Sequence, residues 1–340
     1  MKKYLGITFI LLFSFNIQAQ EFKTSQDSIE HFYDDLFKVM KNGYLYKETV
    51  NWKEVESKID KKLMQYSDFN KSLNEVSYFF DLTKADHSRL FYKDNQFSGN
   101  FQGPTQDDFT EQWIKKYKTN PQFEVKILDN QYGYILMPAM YNEKNLHKQS
   151  QRLYDEINNI KNSNKLQGWI IDLRFNTGGD IFPMLLALYD FLGDNVVWGT
   201  LDIDKNQTSE IRLKDGKYKD NSKTVFYIKP NGELLDKIKV AVITNIATGS
   251  SGEITALAFK GRENTIFIGE KTYGKTTSNV KADLPFGAFM TLTTGYDCDR
   301  NGNYYENIIP DVTVVEKDNF ENLLLDGNIQ EAIEFISEQE

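Results

Sequence analysis

The chain has 340 residues, 14% of them aromatic and 26% charged, enough apolar material for a large α/β unit with a smaller attachment and too ordered a composition for a natively unfolded chain. A formal charge of −9, with no basic run interleaved with aromatics, excludes nucleic acid as the expected partner. The single cysteine, Cys298, has no internal disulfide partner, and with three scattered histidines it forms no zinc signature.

At the start, Met1-Lys2-Lys3, an apolar run from Leu5 to Phe15 and Asn16-Ile17-Gln18-Ala19-Gln20 match the three regions of a secretory signal, predicting a signal peptide over 1–19. The mature protein is thus expected to be exported, periplasmic or secreted, and not a lipoprotein, because no cysteine follows the signal. No segment reaches the ~20 apolar residues that span a bilayer, so no membrane span is expected. Residues 20–91 read as a small N-terminal helical domain, with apolar positions at helical spacing at Phe32, Leu36, Val39 and Met40, then Val55, Ile59 and Leu63. The polar stretch that follows, holding Gly99, Gly103 and Pro104, makes 92–126 a linker or loop region. Residues 127–322 form the expected core, and 323–340 a C-terminal helix. Within the core, apolar runs at 168–173, 239–244 and 265–269 alternate with helical patterns at 181–192 and 251–259. Such alternation predicts a largely parallel sheet covered by helices.

The chemistry-bearing residues cluster at the ends of these strands. Thr248-Gly249-Ser250-Ser251-Gly252-Glu253 lies between a strand and a helix, and a hydroxyl there faces backbone N–H groups that the helix start leaves unpaired. The same residues fit S-x-x-E, a capping box that would merely start the helix, worth about 1 kcal/mol. Asn176-Thr177-Gly178-Gly179 ends another strand, and its paired glycines either turn the chain or bring backbone amides within reach of a ligand. Lys275 follows in Gly274-Lys275. His87 stands in Asp86-His87-Ser88, at the end of the helical segment. Asp297-Cys298-Asp299-Arg300-Asn301-Gly302 opens like a calcium loop, but Ile308 occupies the place of the bidentate glutamate, so Asn301-Gly302 reads as a hairpin turn.

Taken together, the Ser250 turn, the Gly178-Gly179 loop, Gly274-Lys275 and Pro310-Asp311 resemble the S41 family of serine peptidases, the tail-specific or C-terminal-processing proteases and their tricorn-like relatives. The resemblance runs from about Tyr132 to Val315. It implies a crotonase-like core, a peptide or protein substrate, a serine nucleophile at Ser250, and no cofactor. It also implies an oxyanion hole from Gly178 or Gly179 together with the amide of Ser251. The stretch between His87 and Tyr132 is too short for the PDZ domain that many tail-specific proteases carry.

Two bases are open. Lys275 has the spacing of the serine–lysine dyad, which would require burial to lower its pKa by roughly 3 units and would favour alkaline pH. His87 resembles the base of the tricorn-like branch, where Ser88 would belong to the catalytic group and Glu306 would orient the imidazole; a half-rise of activity near pH ~6 to 7 is then expected. Slight preference goes to His87. The expected function is an exported serine endopeptidase acting through a Ser250 acyl-enzyme. The alternative is a non-catalytic binding protein on the same core, for an apolar ligand or an envelope partner.

Overall fold

The computed structural model describes residues 24–141, 144–315 and 317–338; the expected signal peptide lies outside them. In chain order the elements are α1 (Ser25–Gly43), α2 (Trp52–Leu63), α3 (Phe69–Ser72), α4 (Glu75–Thr83), β1 (Arg89–Tyr92), β2 (Asn95–Phe97), α5 (Glu111–Tyr117), β3 (Glu124–Leu128), β4 (Tyr132–Leu136), α6 (Leu146–Ser163), β5 (Gly168–Asp172), α7 (Ile181–Ala187) and α8 (Tyr189–Leu192). They continue with β6 (Val196–Leu201), β7 (Gln207–Lys214), β8 (Lys217–Asp220), β9 (Lys223–Tyr227), β10 (Lys239–Thr244), α9 (Ser251–Leu257), β11 (Thr265–Gly269), β12 (Thr277–Asp283), β13 (Phe289–Cys298), β14 (Val312–Thr313) and α10 (Gly327–Ser337).

The α/β core is present, and its first sheet runs β14-β11-β10-β5-β4-β3, parallel except for β3. Strands β4 and β5 are buried at every position, the continuous apolar pattern of a sheet covered on both faces. Helices α6, α7 and α9 bury one face against Ile135, Trp169, Ile171 and Val242. On the other face, α10 sends Ile329, Ala332 and Ile336 onto Tyr134, Ile170, Ala241 and Ile243.

A second sheet, largely antiparallel, goes beyond the expected single parallel one. Its order is β2-β1-β13-β6-β7-β8-β9, with β12 also pairing β13. Helices α1, α2 and α4 bury Phe32, Leu36, Met40, Val55, Ile59 and Phe79 at the periodic positions, and this core continues into Leu284, Ala288, Met290 and Leu292 of the second sheet. The helical segment therefore rests directly on β13. Between 92 and 126 the chain carries β2, α5 and the start of β3 as well as loop. Trp113 of α5 stacks on Phe109, Tyr117 and Phe175 with ring centroids 4.0, 4.8 and 5.2 Å apart, and its Nε1–H donates to the Arg174 carbonyl. Those aromatic contacts hold a short helix that composition alone leaves as loop.

Candidate active site

Ser250 stands between β10 and α9 with φ 54° and ψ −120°, a backbone region that L-residues avoid at a cost of about 1 to 3 kcal/mol. The surrounding hydrogen bonds over-determine that conformation. Upstream, Thr248 Oγ1 donates to the Leu173 carbonyl at 3.0 Å and the Gly249 N–H donates to the Asn176 carbonyl at 3.0 Å, tying the turn to the loop after β5. Downstream, the buried Glu253 carboxylate accepts from the Ser250 N–H at 3.0 Å, from Thr272 Oγ1 at 2.5 Å, and from the N–H groups of Gly274 and Lys275, each at 2.7 Å. Burial pushes the Glu253 carboxyl above its ordinary range, against these four donors. Glu253 thus completes the capping box that it forms with Ser250, and the same hydroxyl has a second neighbour.

That hydroxyl meets His87, whose Nε2 lies 3.1 Å from Ser250 Oγ. The other ring nitrogen, Nδ1, lies 2.7 Å from Thr277 Oγ1. With the proton on Nδ1 donated to Thr277, Nε2 carries the lone pair that accepts from Ser250, the tautomer a general base needs. The partly buried ring sits between α4 and β1, where Lys84 ends the helix in the left-handed region at φ 55°. Burial lowers the His87 pKa to about 4, helped by the charges of Lys275 and Arg89 and opposed by Asp86.

The other expected members of the group occupy different places. Lys275 Nζ pairs with the Asp86 carboxylate, and no hydrogen bond among the described residues joins it to Ser250. Ser88 is fully buried behind the histidine, its Oγ 3.3 Å from Thr293 Oγ1 and accepting from the Thr293 N–H. Ser88 therefore reaches the site only through packing. Glu306 is exposed and contributes its backbone carbonyl, which accepts from Thr276 Oγ1 at 3.0 Å. Its side chain does not take the place beside Nδ1, because Thr277 already fills it. Asn279 adds a further support: its Nδ2 donates to the His87 carbonyl at 3.3 Å while its Oδ1 accepts from Thr293 Oγ1 at 2.8 Å.

Gly178 and Gly179 both have positive φ, 117° and 107°. A side chain on Gly179 would put its Cβ 1.9 Å from the Met140 carbonyl oxygen; one on Gly178 would press within 3.0 Å of Ser250 Cβ. The loop can therefore approach the serine only as glycine. The two amides differ in availability. The Gly178 N–H donates to Asn176 Oδ1 at 3.1 Å, whereas no hydrogen bond among the described residues occupies the N–H of Gly179 or of Ser251. Ser251 Oγ donates to the Gly179 carbonyl at 2.7 Å, clasping the two segments together.

A cleft of 1220 Å³ opens over these groups, with His87, Ser250, Gly179, Ser251 and Lys275 in its lining. A hydroxyl, an unprotonated imidazole nitrogen and two free amides around one space form an arrangement suited to acyl transfer. Among the described residues no cluster of metal-ligating side chains occurs, and Asp299 of the calcium-like stretch accepts instead from the N–H groups of Asn301 and Asn303 in a turn.

The profile of peptidase family S41 matches residues 131–314. Over 151 residues the chain is 34% identical to a nisin-resistance protein of Lactococcus lactis subsp. lactis, covering 44% of this chain and 46% of that one. Over 156 residues it is 25% identical to a carboxy-terminal-processing protease of Bartonella bacilliformis, covering 45% and 32%. The chain thus spans less than half the length of these curated relatives. In fold it is similar to the solved structure of a lipoprotein from Streptococcus agalactiae, with a TM-score of 0.66 and 22% identity over 98% of this chain and 99% of that one.

Proposed function

The chain belongs to peptidase family S41, and from that premise we propose that it is an exported serine endopeptidase whose nucleophile is Ser250 and whose general base is His87. The observation that carries this reading is the 3.1 Å contact between Ser250 Oγ and His87 Nε2 inside the cleft. In the proposed sequence His87 takes the hydroxyl proton as Ser250 Oγ attacks a peptide carbonyl. The N–H groups of Gly179 and Ser251 receive the oxyanion, and His87 returns the proton to the leaving amine. Water then repeats the cycle on the acyl-enzyme. Thr277 keeps the imidazole in the required tautomer, in the place a carboxylate takes in other triads. Lys275 braces the His87 turn through Asp86 and adds positive potential, so it acts on the base rather than as the base.

Export rests on the leader-like sequence at 1–19, and among the described residues no helix is long and apolar enough to cross a membrane. A binding protein without catalysis would have no use for a strained serine hydrogen-bonded to an imidazole, and for that reason the catalytic reading is preferred. Labelling of the purified protein by a fluorophosphonate tests it. Covalent modification at Ser250, absent in Ser250→Ala, is the expected result. A folded wild type that labels no more than the variant would remove the claim.

A further inference from the structure

The same cleft contains an acid that the proposed chemistry does not use. Asp297 of β13 is fully buried, lines the cleft, and neither of its carboxyl oxygens has a hydrogen-bond partner among the described residues. Desolvation, reinforced by the charge of Glu253, holds its carboxyl well above the usual range. An unpaired buried carboxyl is costly to the fold, and a group of this kind asks for a role that a fully satisfied one would not need.

Its place in the sheet is fixed close to the base. The Asp297 N–H donates to the Thr276 carbonyl at 2.9 Å, and its neighbour Tyr296 pairs with Thr277, the residue that holds His87. On the other edge of β13, Asp297 is in register with Thr200 of β6. The cleft lining on this side carries Phe182, Trp198, Ile211 and Tyr218 beside the polar Thr200, Thr208, Ser209 and Asp220. Trp198 Nε1–H donates to Tyr218 Oη at 3.2 Å, fixing two of those rings. The cationic groups of the cleft, Arg89 and Lys275, are committed elsewhere, Arg89 to the carbonyls of Asp86 and Ser88 and Lys275 to the Asp86 carboxylate. Aromatic and aliphatic side chains near an unsatisfied acid complement a long aliphatic stem tipped with a cation.

We infer that Asp297 is the carboxylate that receives a lysine or arginine side chain of the peptide substrate, so that the cleft selects basic residues near the bond it cuts. The inference rests on the peptidase reading above and deepens it. On binding, the Asp297 carboxylate pairs with the ammonium or guanidinium.

Two quenched fluorescent peptides test this, identical except that one carries a single lysine and the other norleucine at the same position, which is moved stepwise along the sequence. At the best position wild type should cleave the lysine peptide with kcat/KM at least about tenfold higher, and Asp297→Asn should shrink that ratio to within about threefold. A ratio near one in wild type at every position, or an unchanged ratio in Asp297→Asn, overturns the inference. Should that variant not fold, calorimetry of Ser250→Ala with the two peptides decides the matter. The lysine peptide is expected to bind at least about tenfold more tightly than the norleucine peptide, and equal affinity overturns the assignment. Fluorophosphonate labelling of the same preparation separates the two claims. Labelling without a lysine preference sinks only the role of Asp297; absence of labelling removes the peptidase reading and leaves the calorimetric result to judge Asp297.

Discussion

His87 Nε2 and Ser250 Oγ lie 3.1 Å apart although the two residues are separated by 163 positions in the chain. The contact exists because β1, which follows His87, pairs with β13, and β13 also carries β12, whose Thr277 holds the far side of the ring. The second sheet thus delivers the imidazole to a serine presented by the first.

The pH dependence should be displaced from that of an ordinary histidine enzyme. With the His87 pKa lowered to about 4, the neutral, base-competent imidazole persists through mildly acid solution. The acid limb of kcat/KM is expected to have its midpoint near pH 4 rather than between 6 and 7. Replacing Lys275 by Met removes a charge that lowers this pKa and leaves the Asp86 charge that raises it, so the midpoint should move to higher pH. A pH–rate series on both proteins checks the position and the sign.

The same shift bears on stability. The folded state keeps His87 neutral where the unfolded chain, with a pKa near ~6.5, already binds a proton. The contribution of this residue therefore becomes less favourable as pH falls from the unfolded value towards about 4. Urea midpoints measured across that window should decline less steeply in His87→Phe than in wild type.

Thr277→Val removes the acceptor of the Nδ1 proton while keeping the shape of the side chain. Loss of one such hydrogen bond is worth about 1 to 1.5 kcal/mol, so kcat should fall about tenfold with KM little changed. Thermal melting should be nearly unaffected, since Thr277 is only partly buried. Steady-state kinetics beside a melting curve separates positioning of the imidazole from general destabilisation.

Glu253→Ala strips the common acceptor from Ser250, Thr272, Gly274 and Lys275. Several buried donors are then left without a partner, and a loss of about 3 kcal/mol or more is expected. Gly179→Ala should act differently. The collision with the Met140 carbonyl and the positive φ displace the amide proposed as an oxyanion donor, and kcat should drop by about 10² to 10³. Chemical denaturation of the first variant and single-turnover acylation of the second are the relevant measurements.

Much of the first sheet was legible because its strands are unbroken apolar runs at 168–173, 239–244 and 265–269, each followed by a turn and most by a helical pattern. The serine turn and the glycine pair were legible for the same reason, since both sit where such runs end. The antiparallel sheet was harder to read. Strands β8 and β9 are short, β7 and β8 are rich in charge, and the Asp215-Gly216 hairpin signal stands between flanks whose alternation is only partial. Asp86-His87-Ser88 carries no local pattern that names its partner, because the partner is supplied by strand pairing far along the chain. Thr277 was hidden by its chemistry, as a hydroxyl is a less expected companion for imidazole than a carboxylate such as Glu306. Asp297 lies within a calcium-like stretch, yet only burial without a hydrogen-bond partner distinguishes it.

The most direct test compares the rate at which a fluorophosphonate phosphonylates Ser250, with loss of fluoride, in wild type, His87→Ala and Lys275→Ala, each first verified as folded. His87 as general base predicts a fall of about 10² to 10⁴ for His87→Ala and less than about tenfold for Lys275→Ala. Labelling at the wild-type rate without the imidazole, together with its loss when Lys275 is removed, would contradict that assignment.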